Sequence, residues 1–588
     1  MKPATATTAA AATAATATTA FAAFAATAAS SFFLLPSSLC SGATAPAPSA
    51  PTRPNIMIIL ADDMGFSDIG CYGGEIHTPT LDKLAATGLR FTQFYNGARC
   101  CPTRAAILSG LYCHQAGMGH MTQNKGLPGY TGALAPNCMT IAEVLRPAGY
   151  DTYAIGKWHV SLGVKDTKNH PIQRGFNHYY GIIGGAANYF NPDTLTRDNT
   201  PITAKTDPVY QPAPGKPFYF TDAIADNTIM FLKDHQRTAP DKPFFMYVAF
   251  TAAHWPMMAP PEDIAKYKGV YDKGYDPIRD ARYKRTLELG TVVLPTKISP
   301  PDNSGWNNVK NKAWESRCME VYAAIVDRMD QNIAKIVAQL QATGQLDNTL
   351  IFFLQDNGAC AEMIGRKPNG KKGYRTGPGV MPGSADTYIA YGHDWANVSN
   401  TPFREYKHWV HEGGISTPLI VHWPAGIPAS LDNTFVRTPA HIIDLAATCV
   451  DLAGATYPAK RDGVALSPLA GISLRPTFTG APLERPTPIF WEHEGNRAVR
   501  DGNWKLVAKG ATAPWELYDM SVDRSELNNL ASKNKDIVAR LAAAWQQWAV
   551  ANKVIPWPWA GPNGSGTKSA KGGKGKKNRE PNEDEEGG

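Results

Sequence analysis

Short apolar runs alternate along the chain with longer stretches in which apolar residues recur every three or four positions. The short runs at 55–60, 244–250, 350–354 and 419–422 predict buried strands. The longer stretches at 80–87, 223–234, 318–340 and 442–453 predict helices. Strands that alternate with helices predict an α/β fold, with a large, mixed but mostly parallel sheet sandwiched by helices.

The pattern changes after about residue 475. Short apolar segments at 489–491, 497–499, 504–507 and 515–518 predict strands, and the segment 534–550 predicts a helix. We therefore expect a large α/β domain over residues 51–474. A smaller C-terminal α+β domain with a short antiparallel sheet is expected over residues 475–560.

Both ends of the chain differ in composition from the body. Residues 1–50 are rich in Ala and Thr, with Lys2 ahead of an apolar run at 21–35 and Ala43-Thr44-Ala45 after it. This order predicts a secretory leader and export to the periplasm or the medium. A leader that stays attached and disordered is an alternative, as is lipid anchoring at Cys40. Residues 561–588 predict a disordered tail, and no later segment resembles a membrane span.

Composition and charge exclude several classes of protein. With 43% hydrophobic and 19% charged residues, the 588-residue chain can bury a sizeable core, so global disorder is excluded. The net charge of +7 is mild for this length, and the sequence has no basic helix that would indicate nucleic-acid binding. Nine cysteines are too few for a disulfide scaffold.

Polar oxygens follow two of the predicted strands. Asp62 and Asp63 come directly after the strand at 55–60, and Asp356-Asn357 follows the strand at 350–354. Functional sites in parallel sheets lie at the carboxyl ends of strands, so these side chains are candidates for one site. Oxygen ligands without His or Cys suit a hard cation, Ca²⁺ or Mg²⁺. Ordinary turns and a helix cap are the alternative for both segments.

A cysteine pair opens a predicted helix. In the segment Cys100-Cys101-Pro102-Thr103-Arg104, proline suits an early helical position. Cys100 would then lie at a helix N-terminus beside Arg104, where anions are favoured. Two buried free thiols, or one partner of a disulfide, are the alternative.

These residues resemble the signature of the sulfatase family, Cys-x-Pro-x-Arg followed by Ala-x-x-x-Ser/Thr-Gly. The matching cysteine is Cys100, because the proline must come two residues later. Other segments resemble the family in the expected order: Asp62-Asp63-Met64-Gly65, Gly156-Lys157-Trp158-His159, Ala253-His254-Trp255-Pro256, Asp356-Asn357-Gly358, Lys407 with Glu412-Gly413-Gly414, and Leu517-Tyr518-Asp519. The resemblance covers roughly residues 53–559.

The resemblance implies a formylglycine-dependent, arylsulfatase-like hydrolase of sulfate monoesters, either aryl sulfates or sulfated carbohydrates, that releases inorganic sulfate. A maturation enzyme would oxidise Cys100 to formylglycine. One Ca²⁺ ion, or Mg²⁺, would be bound by Asp62, Asp63, Asp356, Asn357 and the modified residue at position 100.

The resemblance also implies a role for each remaining site residue. The hydrated formylglycine attacks sulfur near Arg104, while Lys157 contacts the sulfate oxygens. His254 and Lys407 match the side of the leaving group, and His159 matches the base that helps to expel sulfate. Lys157 and His159 are two residues apart, so on an extended segment both would face the same side.

Alternatives stay open at several of these positions. Lys157 and His159 could lie on a solvent-exposed strand edge, and His254 could be a core or capping histidine. Arg404, His408 and His411 compete with Lys407 for its role. Cys101 is an extra thiol that could form a disulfide or misdirect maturation.

Two other functions compete with sulfate ester hydrolysis. One is hydrolysis of phosphonate or phosphate esters on the same fold. The other is a binding protein in which Cys100 is never oxidised. The complete set of polar residues argues against the binding protein, since binding alone does not need both the cations and an oxidisable cysteine.

Overall fold

The structure of the protein, a computed structural model, describes residues 53–554 and 557. The strands are β1 (Asn55–Ala61), β2 (Leu89–Tyr95), β3 (Asp151–Lys157), β4 (His178–Ile182), β5 (Leu195–Arg197), β6 (Thr200–Pro201), β7 (Phe244–Ala249), β8 (Thr349–Gln355), β9 (Ser416–His422), β10 (Thr434–Val436), β11 (Ala440–His441), β12 (Lys460–Arg461), β13 (Val464–Ala465), β14 (Ile489–His493), β15 (Asn496–Asp501), β16 (Trp504–Ala508) and β17 (Glu516–Asp519). The helices are α1 (Pro79–Ala86), α2 (Cys100–Ser109), α3 (Ile141–Leu145), α4 (Phe220–Thr238), α5 (Pro261–Ala265), α6 (Tyr275–Leu289), α7 (Lys312–Ala342), α8 (His393–Ser399), α9 (Glu412–Ile415), α10 (Ile443–Leu452) and α11 (Lys535–Ala551).

A large sheet forms the centre of the molecule, with strand order β10-β2-β9-β8-β1-β7-β3-β4-β5-β6 and β11 beside β2. The strands β8, β1, β7, β3 and β4 run parallel to one another, whereas β9 is antiparallel to both of its neighbours. The predicted mixed, mostly parallel sheet is confirmed.

Both faces of this sheet are buried. In β1, Ile56, Ile58 and Leu60 pack into one apolar core, while Met57 and Ile59 pack into another. Residues of α1, α4 and α7 complete the core on the side of Met57, and residues of α2, α3 and α10 complete the core on the other side. A continuous apolar strand is the pattern that burial on two faces requires, and the predicted sandwich of helices is confirmed.

A second sheet follows near the C-terminal end. The strands β14, β15, β16 and β17 pair antiparallel in chain order, and Leu541 and Trp545 of α11 belong to the same core as Val499 and Leu506. The predicted short antiparallel sheet is confirmed. The domain boundary at residues 474 and 475 stays a prediction.

Buried ion pairs connect this C-terminal sheet to the main body. Lys505 of β16 lies 3.0 Å from Glu412 of α9 and 2.8 Å from Glu526. Arg524 lies 3.0 Å from the same Glu412. Burial lowers the pKa of Lys505, whereas Glu412 and Glu526 raise it, and the net pKa is raised. The lysine therefore stays charged and offsets two buried carboxylates.

Replacing Lys505 by methionine is expected to lower the free energy of unfolding by about 3–5 kcal/mol, because Glu412 and Glu526 would lose their shared cation inside the protein. The matched control is Arg540→Ala, which breaks a surface ion pair with Asp501 and should cost less than about 1 kcal/mol. Urea unfolding of the three proteins measures the difference. Equal stability of the two variants would contradict the structural role of Lys505.

Several predictions concern residues that the structure does not describe. The export leader over residues 1–50, the lipid anchor at Cys40 and the tail over residues 561–588 lie outside the described residues. Among the helices of residues 53–554, none has both the length and the apolar character that crossing a bilayer demands.

Candidate active site

Four oxygen-bearing side chains meet at the carboxyl ends of β1 and β8, which are parallel neighbours. Asn357 Nδ2 donates to Asp63 Oδ1 at 2.7 Å, and the backbone N–H of Asp63 lies 3.4 Å from Asp356 Oδ1. Asp62 lies beside them, and all four side chains are at most 1% exposed. Such burial excludes ordinary surface turns for both segments.

Two cations neutralise one side of this carboxylate cluster. Lys157 Nζ, at the end of β3, lies 2.7 Å from Asp62 Oδ2. Arg104 Nη2 lies 2.7 Å from Asp356 Oδ2 and 3.4 Å from Asp62 Oδ2. Burial lowers the pKa of Lys157 and of Arg104. Asp62 raises the pKa of Lys157 and Asp356 raises that of Arg104, and in both cases the net pKa is raised. Both side chains are therefore positively charged near neutral pH, and neither lies on a solvent-exposed strand edge.

The cluster also fits a hard cation. Burial raises the pKa of Asp356, and so does the neighbouring Asp62. Asp62 Oδ1 and Asn357 Oδ1 are buried and have no hydrogen-bond partner among the residues that the structure describes. Buried polar oxygens are costly without a partner. Carboxylate and amide oxygens are the ligands that suit Ca²⁺ or Mg²⁺.

Cys100 is the first residue of α2 and is fully buried. Its thiol interacts electrostatically with Asp62, Lys157, Arg104 and Asp356. The helix places Arg104 one turn beyond Cys100 on the same face, and the N-terminal end of its dipole favours negative charge there. The predicted position of Cys100 at a helix N-terminus beside Arg104 is confirmed.

His159 lies close to the second cysteine of the pair. Its Nε2 is 3.3 Å from Cys101 Sγ. The expectation that Lys157 and His159 share one extended segment is wrong, because β3 ends at Lys157 and His159 has a left-handed backbone with φ 54°. Cys101 is buried, and its Sγ also lies 3.8 Å from Met121 Sδ.

His254 and Lys407 lie on the other side of Asp63. His254 Nε2 is 3.5 Å and Lys407 Nζ is 3.2 Å from the Asp63 carboxylate. His254 Nδ1 lies 2.6 Å from the carbonyl oxygen of Trp255 and donates to it. Burial lowers the pKa of His254, whereas Asp63 raises it, and the net pKa is raised to about 9. His254 is therefore protonated near neutral pH, unlike an ordinary core histidine.

The three residues near Lys407 in the sequence that could take its role contact other groups. Arg404 donates to the backbone carbonyl of Glu526, and His411 Nε2 faces Glu516 at 3.6 Å. His408 belongs to a different group of side chains, with His493 and Glu494. Of these four candidates, Lys407 is the one that the structure places against the Asp63 carboxylate.

Glu362 is a residue of this region that the sequence analysis missed. Its carboxylate accepts a hydrogen bond from Trp255 Nε1 at 2.7 Å and lies 3.1 Å from Arg99 and 3.8 Å from Lys407. Lys407 therefore has a second carboxylate nearby besides that of Asp63. The only sequence signal was its place four residues beyond Gly358, and no motif identified it.

Two protein-family models match this chain. The sulfatase family model matches residues 54–455, and a second family model, N-sulphoglucosamine sulphohydrolase, C-terminal, matches residues 404–550. An uncharacterized sulfatase of Schizosaccharomyces pombe is 34% identical over 541 residues, or 86% of this chain and 95% of the relative. The arylsulfatase of Klebsiella aerogenes is 33% identical over 444 residues, or 72% of this chain and 91% of the relative.

Solved structures share the fold. The crystal structure of Ps i-CgsB in complex with k-i-k-neocarrahexaose aligns with a TM-score of 0.62 at 25% identity, covering 86% of this chain and 94% of that one. Another neighbour, solved with its substrate D-glucosamine-2-N,6-O-disulfate, aligns with a TM-score of 0.58 at 21% identity, covering 85% and 98%.

Proposed function

The chain belongs to the sulfatase family and is a sulfuric ester hydrolase, and we propose that Cys100, oxidised to formylglycine, supplies the nucleophile that attacks the sulfur of its substrate. The substrate would be an aryl sulfate or a sulfated carbohydrate. The observation that carries the proposal is the convergence of Lys157 and Arg104 with Asp62 and Asp356 around the Cys100 thiol.

Asp62, Asp63, Asp356 and Asn357 would hold one divalent cation, because their oxygens converge and two of these oxygens have no hydrogen-bond partner among the described residues. When bound, such a cation offsets the negative charge of the sulfate ester and of the carboxylates. We propose Ca²⁺, with Mg²⁺ as the alternative, since the ligand set contains only oxygens.

Residue 100, if oxidised to formylglycine and hydrated, would offer two hydroxyl groups, one as a nucleophile and one whose deprotonation would allow sulfate to leave, a chemistry that a serine or a thiol lacks. Lys157 would bind the sulfate oxygens, because its ammonium group interacts electrostatically with the Cys100 thiol and lies 2.7 Å from Asp62. Arg104 would stabilise the ionised form of Asp356 through their 2.7 Å contact, opposing the burial that raises the pKa of this carboxyl. The site therefore screens the charge of an anionic substrate before attack.

Proton transfer would involve the two histidines. His254 is protonated near neutral pH and can donate to the oxygen of the leaving group, assisted by Lys407. His159 would accept the proton whose removal releases sulfate. This division of roles uses one histidine as an acid and the other as a base.

Replacing Gly185 by alanine is expected to displace His159, because a Cβ atom at this position would lie 2.4 Å from His159 Cε1 and Nε2. A misplaced base should lower kcat by about 10²-fold while the fold is retained. The matched control is Gly379→Ala, where a Cβ atom would have no heavy atom within 4 Å. Wild-type kcat in Gly185→Ala would argue against this role of His159.

The proposed reaction is tested with matched esters. Protein co-produced with a formylglycine-generating enzyme is assayed on 4-nitrophenyl sulfate, 4-nitrophenyl phosphate and a panel of sulfated oligosaccharides. We expect one sulfate ion per phenol released and a higher kcat/KM for the sulfate than for the phosphate ester. A preference for the phosphate ester would favour the competing phosphoester hydrolase instead.

A further inference from the structure

A second cluster of ionisable side chains lies outside the proposed active site. His408 follows Lys407, while His493 and Glu494 lie at the turn between β14 and β15. One ligand-type atom from each of these three residues lies within 4.8 Å of the other two. His120 approaches from a third segment, with its Nε2 2.6 Å from Glu494 Oε1. We call these four residues the histidine cluster.

Two imidazoles of the histidine cluster, those of the buried His493 and the partly buried His408, have buried ring nitrogens without a hydrogen-bond partner among the described residues. His493 is 1% exposed, and neither of its ring nitrogens has a hydrogen-bond partner among residues 53–554 and 557. His408 Nδ1 also has no hydrogen-bond partner there, although its Nε2 lies 3.1 Å from Asn496 Nδ2. Each imidazole carries polar nitrogens whose burial without a partner is unfavourable. These ring nitrogens are therefore available to bind a ligand.

The unsatisfied nitrogens lie around one carboxylate. His408 Nδ1 is 3.6 Å and His493 Nε2 is 3.9 Å from the oxygens of Glu494. These distances are too long for hydrogen bonds. They approach the spacing of roughly 3.4 Å between ligand atoms around a tetrahedral ion with bonds of about 2.1 Å. Small side-chain rotations would bring these three ligand atoms to that spacing.

The protonation states suit metal binding. Burial lowers the pKa of His408 to about 4 and that of His493 well below its usual value, so both rings are neutral near pH 7. Neutral imidazole is the form that binds metals. Against burial, the hydrogen bond from His120 lowers the pKa of Glu494, which stays ionised. Arg99 is a positive charge near both rings, and it forms an ion pair with Glu362.

The backbone of the cluster is also unusual. His408 has φ 88° and Glu494 has φ 49°, in the left-handed region that non-glycine residues seldom occupy. Such conformations persist where the surrounding structure imposes them, and they cluster at ligand sites.

We propose that His408, His493 and Glu494 bind a transition-metal cation of the Zn²⁺ class, with His120 holding the second carboxylate oxygen of Glu494. Imidazole ligands favour such ions over Ca²⁺ and Mg²⁺. A hydrogen-bonded partner behind a ligand is a common feature of these sites. The ion ties the loop that carries Lys407 to the C-terminal sheet. The site is independent of formylglycine and of the cation held by the aspartates.

The test measures metal binding in the full-length protein. Wild type, His493→Gln and Glu494→Gln are stripped with a chelator, equilibrated with Zn²⁺ alone, desalted and analysed for zinc by mass spectrometry. Wild type should retain one zinc equivalent more than either variant. Any zinc at the aspartate cluster is common to all three proteins and cancels in the difference. His77→Ala, which removes an exposed histidine, is the matched control and should retain the wild-type amount.

Cobalt gives a second readout of the same site. Co²⁺-loaded wild type should show the visible absorption of tetrahedral cobalt, and His493→Gln should lose it. If His493→Gln does not fold, Glu494→Gln and His408→Gln decide both readouts. Equal zinc contents in wild type and the folded variants, or no tetrahedral cobalt spectrum in wild type, would overturn the proposal.

Discussion

Substitution of Cys100 by alanine is expected to abolish sulfate ester hydrolysis, lowering kcat/KM by about 10⁴-fold or more. The variant removes the atom that maturation would convert into the nucleophile, while the carboxylates and cations around it stay in place. Alanine is smaller than cysteine and fits the buried first position of α2. The measurement is the initial rate on 4-nitrophenyl sulfate, with circular dichroism to verify the fold.

The matched control is Cys113→Ser, which changes a half-buried cysteine beside His114, outside the proposed active site. It should keep the wild-type rate. Full turnover by Cys100→Ala would contradict the covalent mechanism, and a fall in both variants would indicate general damage rather than loss of the nucleophile.

Substitution of Asp356 by asparagine is expected to lower the stability, the calcium binding and the activity of the protein. Arg104, fully buried, would keep only Asp62 at 3.4 Å as a carboxylate partner, so the free energy of unfolding should fall by about 3–5 kcal/mol. The protein should also lose bound Ca²⁺, and kcat/KM should fall by about 10²-fold or more. Urea unfolding, calcium analysis and kinetics measure the three effects.

The chain offers a matched surface pair as a control. Asp386 and Arg375 form an ion pair at 2.7 Å with side chains 58% and 59% exposed. Asp386→Asn should cost less than about 1 kcal/mol, because exposed ion pairs are screened by water. If Asp356→Asn matched Asp386→Asn in stability and kept its calcium, the proposed role of Asp356 would be contradicted.

The sequence predicts the centre of the fold well because β1, β7 and β8 are continuous apolar runs. The strands β2 and β3 were missed, since Arg90 and Gln93 interrupt the first and Gly156 the second. Gly156 is required by close packing: a Cβ atom there would lie 1.9 Å from the carbonyl oxygen of Ala249. Such a contact between neighbouring strands leaves no trace in the periodicity of either.

The residues of the candidate site likewise include some that the sequence pattern predicts and others that it does not. Asp62 and Asp356 were expected to meet because both follow parallel strands. His254 and Lys407 lie on loops, whose paths the apolar pattern does not specify, so only the family resemblance linked them to the site. Glu362 matched no motif and emerged only from its contacts with Trp255, Arg99 and Lys407.

Mass spectrometry of the peptide that contains Cys100 and Arg104, from protein made in its native host, tests the central claim most directly. We predict the mass of an aldehyde or its hydrate at position 100, with Cys101 unchanged. An unmodified thiol at position 100 in protein that hydrolyses sulfate esters at full rate would contradict the formylglycine mechanism.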